Sequence, residues 1–173
     1  SKELEKERKA STNNDESANN KTEELKQYNM LLGLTNVSGE GVVITCKDGQ
    51  VGNQVATDNI SQYLVHDADL REIVNELANA GAEAISINDQ RIVSQTSITC
   101  AGNIISINGE KVSSPFVIKA IGNQEGLYGA LSRPGGYLSL MKEDVSVDIK
   151  KLSSVSIKKY NGAITQKYIK NKE

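Results

Sequence analysis

Residues His66 to Val93 read HDADLREIVNELANAGAEAISINDQRIV, and this stretch decides the fold. Its first half is helical. Leu70, Ile73, Val74, Leu77 and Ala78 recur at the i, i+3, i+4, i+7, i+8 spacing that places apolar side chains on one helical face. Asp67 or Asp69 caps the start, and with Asp69 as the cap Glu72 closes a capping box. Gly81 falls where a left-handed residue ends a helix. Beyond it the period changes. Ala84-Ile85-Ser86-Ile87 is a strand, Asn88-Asp89 a turn, and Arg91-Ile92-Val93 opens a second strand. The stretch is a helix docked on a sheet.

Working back from it, Tyr63-Leu64-Val65 is a short apolar run that feeds the helix as a brief strand. Residues 50–62 carry no strong period and read as a loop, and Asp48-Gly49 marks a turn. Val42 to Cys46 is a mostly apolar strand, as an inner sheet position requires, with Val37 to Gly41 a loop before it. Residues 1–33 form a polar arm, helical or disordered. Ser11 to Asn20 has almost no side chain that could pack, so residues 1–20 cannot offset the entropy of ordering. Asn20 and Glu23 make a capping box for a short helix with Leu25, Tyr28 and Leu32 on one face, ending near Gly33. That arm is either the tail of a coiled coil, pairing two chains or spacing the domain from a membrane, or a frayed helix. Fewer than three heptads are present to decide it.

Working forward, the chain turns to hairpins. Ser97 to Cys100 alternates, Gly102-Asn103 is a two-residue turn, and Ile104 to Ile107 returns. Asn108-Gly109 is the strongest hairpin signal, because both central residues of a type I′ turn need positive φ. Lys111-Val112 pairs back before Pro115. Phe116 to Ile121 is the next strand, and after Gly122-Asn123 a helix carries Leu127, Tyr128 and Leu131 on its face. Arg133-Pro134-Gly135-Gly136 breaks it, Tyr137 to Lys142 forms a further short helix, and Val145, Val147 and Ile149 alternate as a strand with one wet face. Val155 to Ile157 adds an edge strand. The order β-α-β, hairpins, β-α-β predicts an α+β two-layer sandwich of ferredoxin-like type over residues 34–160, with a frayed basic tail at 161–173.

Composition narrows the function classes. The 173 residues hold 20 basic and 22 acidic side chains for a net charge of -2, so no global bias toward nucleic acid is present. Aromatic content is 4% with no Trp, and the Ile, Val and Leu residues cluster after residue 30, enough core for the domain but not for the arm. Cys46 and Cys100 make neither a disulfide framework nor a metal site; they form one bridge or stay as two small buried thiols. No apolar run is long enough to span a membrane. The chain starts with Ser1 rather than Met, as a processed or truncated chain does.

Several stretches together resemble the bacterial domain-of-unknown-function family 881. They are LLGLTNVSGEGVVIT, LVHDADLREIVNELANAGAEAISINDQRI, SITCAGNIISINGEKVSSPFVIKAIGN and LSRPGGYL, spanning roughly Leu31 to Asn161. Two departures lie in turns: Asn88-Asp89 stands where the family usually has Asn-Gly, and Ser114-Pro115 where it has a Pro pair. The resemblance implies a protein with one N-terminal transmembrane helix, a helical spacer that is often a coiled coil, and this domain outside the cytoplasmic membrane. It also implies a setting near the cell-division and cell-wall genes of Gram-positive bacteria, and no established enzymatic activity.

Two polar clusters are candidates for chemistry. His66, Asp67 and Asp69 bring the one histidine beside two carboxylates, the types needed for a general base or a metal ligand. Yet no nucleophile elbow lies nearby, and a helix start attracts Asp for capping alone. Asn88, Gln90 and Arg91 sit on the turn after the core strand, where Arg91 either holds a carboxylate or phosphate bidentately or pairs with a local acid while Asn88 shapes the turn. These six residues are the first guess for a ligand or partner surface. Ser38 to Gly41 and Arg133 to Gly136 lack what a phosphate loop needs. The lysines near the C-terminus read as a solvated face. No enzyme, cofactor or metal is expected. The leading expectation is a membrane-anchored, extracytoplasmic interaction domain serving envelope or division proteins, with self-association through the arm. A small-ligand sensor comes second and a cell-wall hydrolase last. A partner module should expose a contiguous apolar patch, and a sensor should show a concave pocket with convergent polar groups near His66 and Arg91.

Overall fold

The computed structural model describes residues 2–50, 57–102 and 104–172. The N-terminal arm is one helix, α1 (Lys2–Leu31), with no buried residue along it. Of the two forms expected for the arm this is the helical one, and the helix starts at residue 2 and not at Asn20. Its end was placed well. Gly33 has φ +79°, its N–H reaches the Met30 carbonyl, and the Leu34 N–H reaches Asn29, which is the paired bonding of a Schellman cap.

The domain follows as β1 (Val37–Lys47), a 3-10 turn over Thr57–Tyr63, α2 (Asp67–Asn79), β2 (Ala84–Ile87) and β3 (Gln90–Arg91). Three short strands come next: β4 (Ile98–Ala101), β5 (Ile104–Ile107) and β6 (Glu110–Val112). The chain closes with β7 (Phe116–Ile121), α3 (Gln124–Ser132), α4 (Tyr137–Met141) and β8 (Ser146–Ile157). The large sheet has the order β3-β2-β7-β1-β8, and β4-β5-β6 make a second sheet. Every pairing in the large sheet is antiparallel. Without the inserted β3 to β6, the path β1-α2-β2-β7-α3-β8 is two interlocked β-α-β units, the ferredoxin-like α+β arrangement the pattern predicts.

Three local expectations are corrected. Tyr63 to Val65 is not a strand but the end of the 3-10 turn and its exit; the looser reading of 50–62 as loop falls partly on 51–56, outside the described residues. Val37 to Gly41 is not a loop. It is the first half of β1, paired with β8 and interrupted by a bulge at Gly39–Gly41. Its glycines read as loop residues but serve packing, since a Cβ at Gly41 would collide with the Ala120 carbonyl of the neighbouring strand. The two C-terminal strands are one continuous β8 that runs the full length of β1.

The inner face of the sheet is the main core. Val42, Ile44 and Cys46 of β1, Ile118 and Ala120 of β7, and Ile87 of β2 meet Leu70, Ile73 and Leu77 of α2 and Leu127 and Leu131 of α3. Ile98, Ile105 and Ile107 of the small sheet join the same cluster. Val74 packs at its margin, whereas Ala78 and Tyr128, expected on the buried faces, are exposed. The helix stop at Gly81 (φ +87°) is as expected, with Gly81 N–H on Ala78 and Ala82 N–H on Leu77. The outer face holds a smaller cluster of Ala84, Ile121, Val155 and Ile157. The ends of the domain close over it: the Tyr160 N–H donates to the Gly33 carbonyl at 2.8 Å, and the Lys159 N–H to Asn36 Oδ1 at 2.8 Å.

Candidate functional site

The first polar cluster builds the start of α2. The cap is His66, neither Asp67 nor Asp69. Asp69 is the third helical residue, and its Oδ2 accepts the His66 N–H at 2.6 Å. Its other oxygen accepts the Tyr137 hydroxyl at 2.6 Å, which with burial holds the Tyr137 phenol up at about 12, burial being the larger cause. Asp67 Oδ2 accepts from Arg71 Nη1 at 2.6 Å and from the Cys100 N–H at 3.1 Å. Arg71 beside it is the first cause, and the Cys100 bonds the next, of a carboxyl lowered to about 2. Arg71 Nη1 also donates to the Ile98 carbonyl at 2.7 Å. His66 Nε2 lies 2.9 Å from the Ser61 carbonyl, so that nitrogen carries the proton and donates. These bonds tie the helix start to α4, to β4 and to the preceding turn, and each carboxylate is spent on them. Among the described residues no group of three His, Cys, Asp or Glu side chains is placed to hold a metal.

The second cluster divides. Asn88 and Asp89 adopt φ +46° and +65°, the positive pair of a tight hairpin turn. The Asn88 side chain is structural: Oδ1 accepts the Val117 N–H at 2.7 Å, and Nδ2 donates toward the Ser113 and Pro115 carbonyls. Asp89 receives Lys158 Nζ at 2.7 Å and Lys119 Nζ at 3.6 Å, and the Lys158 bond first of all lowers its carboxyl. Gln90 is half-buried and makes no side-chain hydrogen bond among the described residues.

Arg91 is the exception. Its side chain is 4% exposed, yet it pairs with no acid among the described residues, which corrects the expected ion pair. Nη1 donates to the carbonyls of Thr35 at 3.2 Å and Lys158 at 3.4 Å, joining the two ends of the domain. Burial lowers its pKa. Opposite it in register stands Ser86, 1% exposed, whose hydroxyl has no partner among the described residues. Arg91 lines a cleft of about 290 Å³ between the end of α1 and the β2–β3 edge, with Leu31, Leu32, Gly33, Ile92 and Val93 among its walls. The sensor reading placed a pocket near His66 and Arg91; the cleft includes Arg91 but not His66, and its wall from the end of α1, some sixty residues away in sequence, was not foreseen. The two clusters do not form one site: no hydrogen bond among the described residues joins them.

Cys46 is buried and Cys100 exposed, and both are free. The bridge is absent, and the expectation of two buried thiols holds for Cys46 alone.

The fold and these bonds define a ferredoxin-like α+β domain carried on a helical arm. Residues 24–170 match a family described as bacterial protein of unknown function (DUF881), and the chain belongs to that family. It is 32% identical to the UPF0749 protein YlxW of Bacillus subtilis over 140 residues, 80% of this chain and 60% of that protein. A UPF0749 protein of Mycobacterium tuberculosis is 31% identical over 118 residues, 65% of this chain and 38% of its own length. The chain thus spans less than two thirds of the length of these relatives. The crystal structure of an uncharacterized conserved protein from Mycobacterium tuberculosis superposes with a TM-score of 0.68 at 25% identity, covering 86% of this chain and 99% of that one.

Proposed function

We propose that this is a non-enzymatic interaction domain of a membrane-anchored protein, held outside the cytoplasm and serving envelope or division proteins. The observation that supports the reading is a run of exposed apolar side chains where the arm meets the domain, with Leu25, Tyr28 and Leu32 on one helical face. Leu25, Tyr28, Met30, Leu31 and Leu32 are 62%, 56%, 46%, 72% and 47% exposed within eight residues of chain, more than scattered surface apolars explain. Further up the arm, Leu4 is the one other large exposed hydrophobic among the described residues, so the exposed apolar side chains are concentrated at the domain end.

The test is photo-cross-linking in cells from Tyr28, with Glu16 further up the arm as control. The reading expects one discrete adduct from Tyr28, lost when Leu25 and Leu32 become Asp. No adduct, or one indifferent to those charges, sinks it. Location has its own probe. Cys100 is exposed, while burial holds Cys46 up at about 12 and unreactive. A membrane-impermeant thiol reagent should label Cys100 in intact cells; labelling only after lysis sinks the extracytoplasmic part. A second reading, recognition of a small ligand, is favoured by one observation: the cleft at Arg91.

A further inference from the structure

We propose that the cleft between the end of α1 and the β2–β3 edge binds an apolar carboxylate, its head held by Arg91. A guanidinium has five donors, and its Nε/Nη2 edge is the fork that matches a carboxylate bidentately. In Arg91 only Nη1 is used by the protein; among the described residues neither Nε nor Nη2 has an acceptor. A cation buried to this degree ordinarily has a charged partner. The nearest acid on its own hairpin, Asp89, is committed to Lys158 and Lys119.

The space beside that edge is kept open by a missing side chain. A Cβ on Gly33 would stand 3.6 Å from Arg91 Nε and 2.8 Å from Val93 Cγ1, so any larger residue there would fill the approach. The remaining walls set the body of the ligand. Leu31, Leu32, Ile85, Ile92 and Val93 are aliphatic, and the polar side chains facing the cleft besides Arg91 are Glu83 and Ser94. A volume near 290 Å³ suits a small acid or one terminal residue of a peptide. The exposed carboxylate of Glu83 disfavours multiply charged anions. The chemistry shared by both sources is one carboxylate on a short aliphatic body.

The experiment is an NMR titration of the full chain, reading the Arg91 Nε–H signal and the Ile92 and Val93 methyls. The probes are hexanoate, hexanamide, inorganic phosphate, and Ala-Ala-Leu with a free or an amidated C-terminus. Hexanoate or the free peptide should shift these signals saturably, with a dissociation constant on the order of a millimolar. The matching amides should bind at least about tenfold more weakly. Arg91→Lys keeps a buried cation but loses the fork, and should weaken binding about tenfold with the methyl spectrum otherwise unchanged. Whichever probe binds more tightly, acid or peptide, identifies the source. No saturable shift, equal binding of acid and amide, or phosphate binding as tightly as hexanoate overturns the proposal. The inference rests on the second reading above; its failure leaves the cross-link from Tyr28 standing, and failure of the cross-link leaves this titration untouched.

Discussion

The two faces of the large sheet are built on different terms. The inner face is a closed aliphatic layer, with Val42, Ile44, Ile87 and Ile118 fully covered by helices whose own apolar stripes match it. The outer face has only four buried apolar residues in its cluster, and its cover is the two ends of the domain, meeting at Gly33 and Tyr160. The inner layer satisfies itself. Among the described residues the outer one leaves the Ser86 hydroxyl without a partner and uses only Nη1 of the Arg91 guanidinium. Stability is concentrated on one side of the sheet and unspent recognition chemistry on the other.

The largest expected effect tests that division from the inner side. Ile44→Ala removes a fully buried side chain from the main core, where a closed aliphatic layer cannot collapse fully into the gap, and should cost about 3–4 kcal/mol. Ile157→Ala deletes a comparable group from the outer cluster at the end of β8, where the chain can relax toward solvent. About 2 kcal/mol is expected there. Urea unfolding of both variants reads the difference, and equal losses would break the comparison.

The inner face was legible and the outer face was not, for a physical reason. Leu70, Ile73 and Leu77 announce a helix because the partners that fix their period lie within three or four residues. Gly81 and Asn108-Gly109 announce their turns because only positive φ suits them. The order of elements then implied the ferredoxin-like layers. The outer closure depends on Gly33, Thr35 and Lys158 arriving together from opposite ends of the domain, and no local period records that. Gly39 and Gly41 misled in the same way: a strand glycine kept for close packing looks like a loop residue. Of the candidate residues, His66, Asp67, Asp69 and Asn88 were found because they are chemically able, but their types could not tell that their bonds were already used. For Arg91 the type suggested either a local ion pair or a bidentate hold on an anion, and only the three-dimensional neighbourhood, with no acid paired to it among the described residues, separates the two.

A smaller effect separates spent from unspent charge. Asp67 titrates near 2 in the folded chain against 3.8 when free. A depressed carboxyl stabilises the fold above the free value, and that contribution fades as pH falls from about 5 through 3.8 toward 2. Because the pair with Arg71 lies near solvent, screening keeps it to about 1 kcal/mol. Asp67→Asn should lower stability by that amount at pH 7, and the gap to the parent chain should close by about pH 2. A gap unchanged between those pH values would mean that Asp67 acts by shape and not by charge.

The smallest expected change in stability falls on the residue with the largest expected change in binding. Arg91→Met keeps an unbranched side chain of similar reach while deleting a buried cation with no acid beside it. Removing such a charge relieves its desolvation penalty, and the bonds lost with it, at 3.2 and 3.4 Å, are long and weak. The two terms nearly cancel, so urea unfolding should move by less than about 1 kcal/mol, while the hexanoate response disappears. A loss above about 3 kcal/mol would instead make Arg91 the strut that holds the two ends of the domain together. The outer face would then be as self-satisfied as the inner one, and its open guanidinium edge only the unused side of a structural clamp.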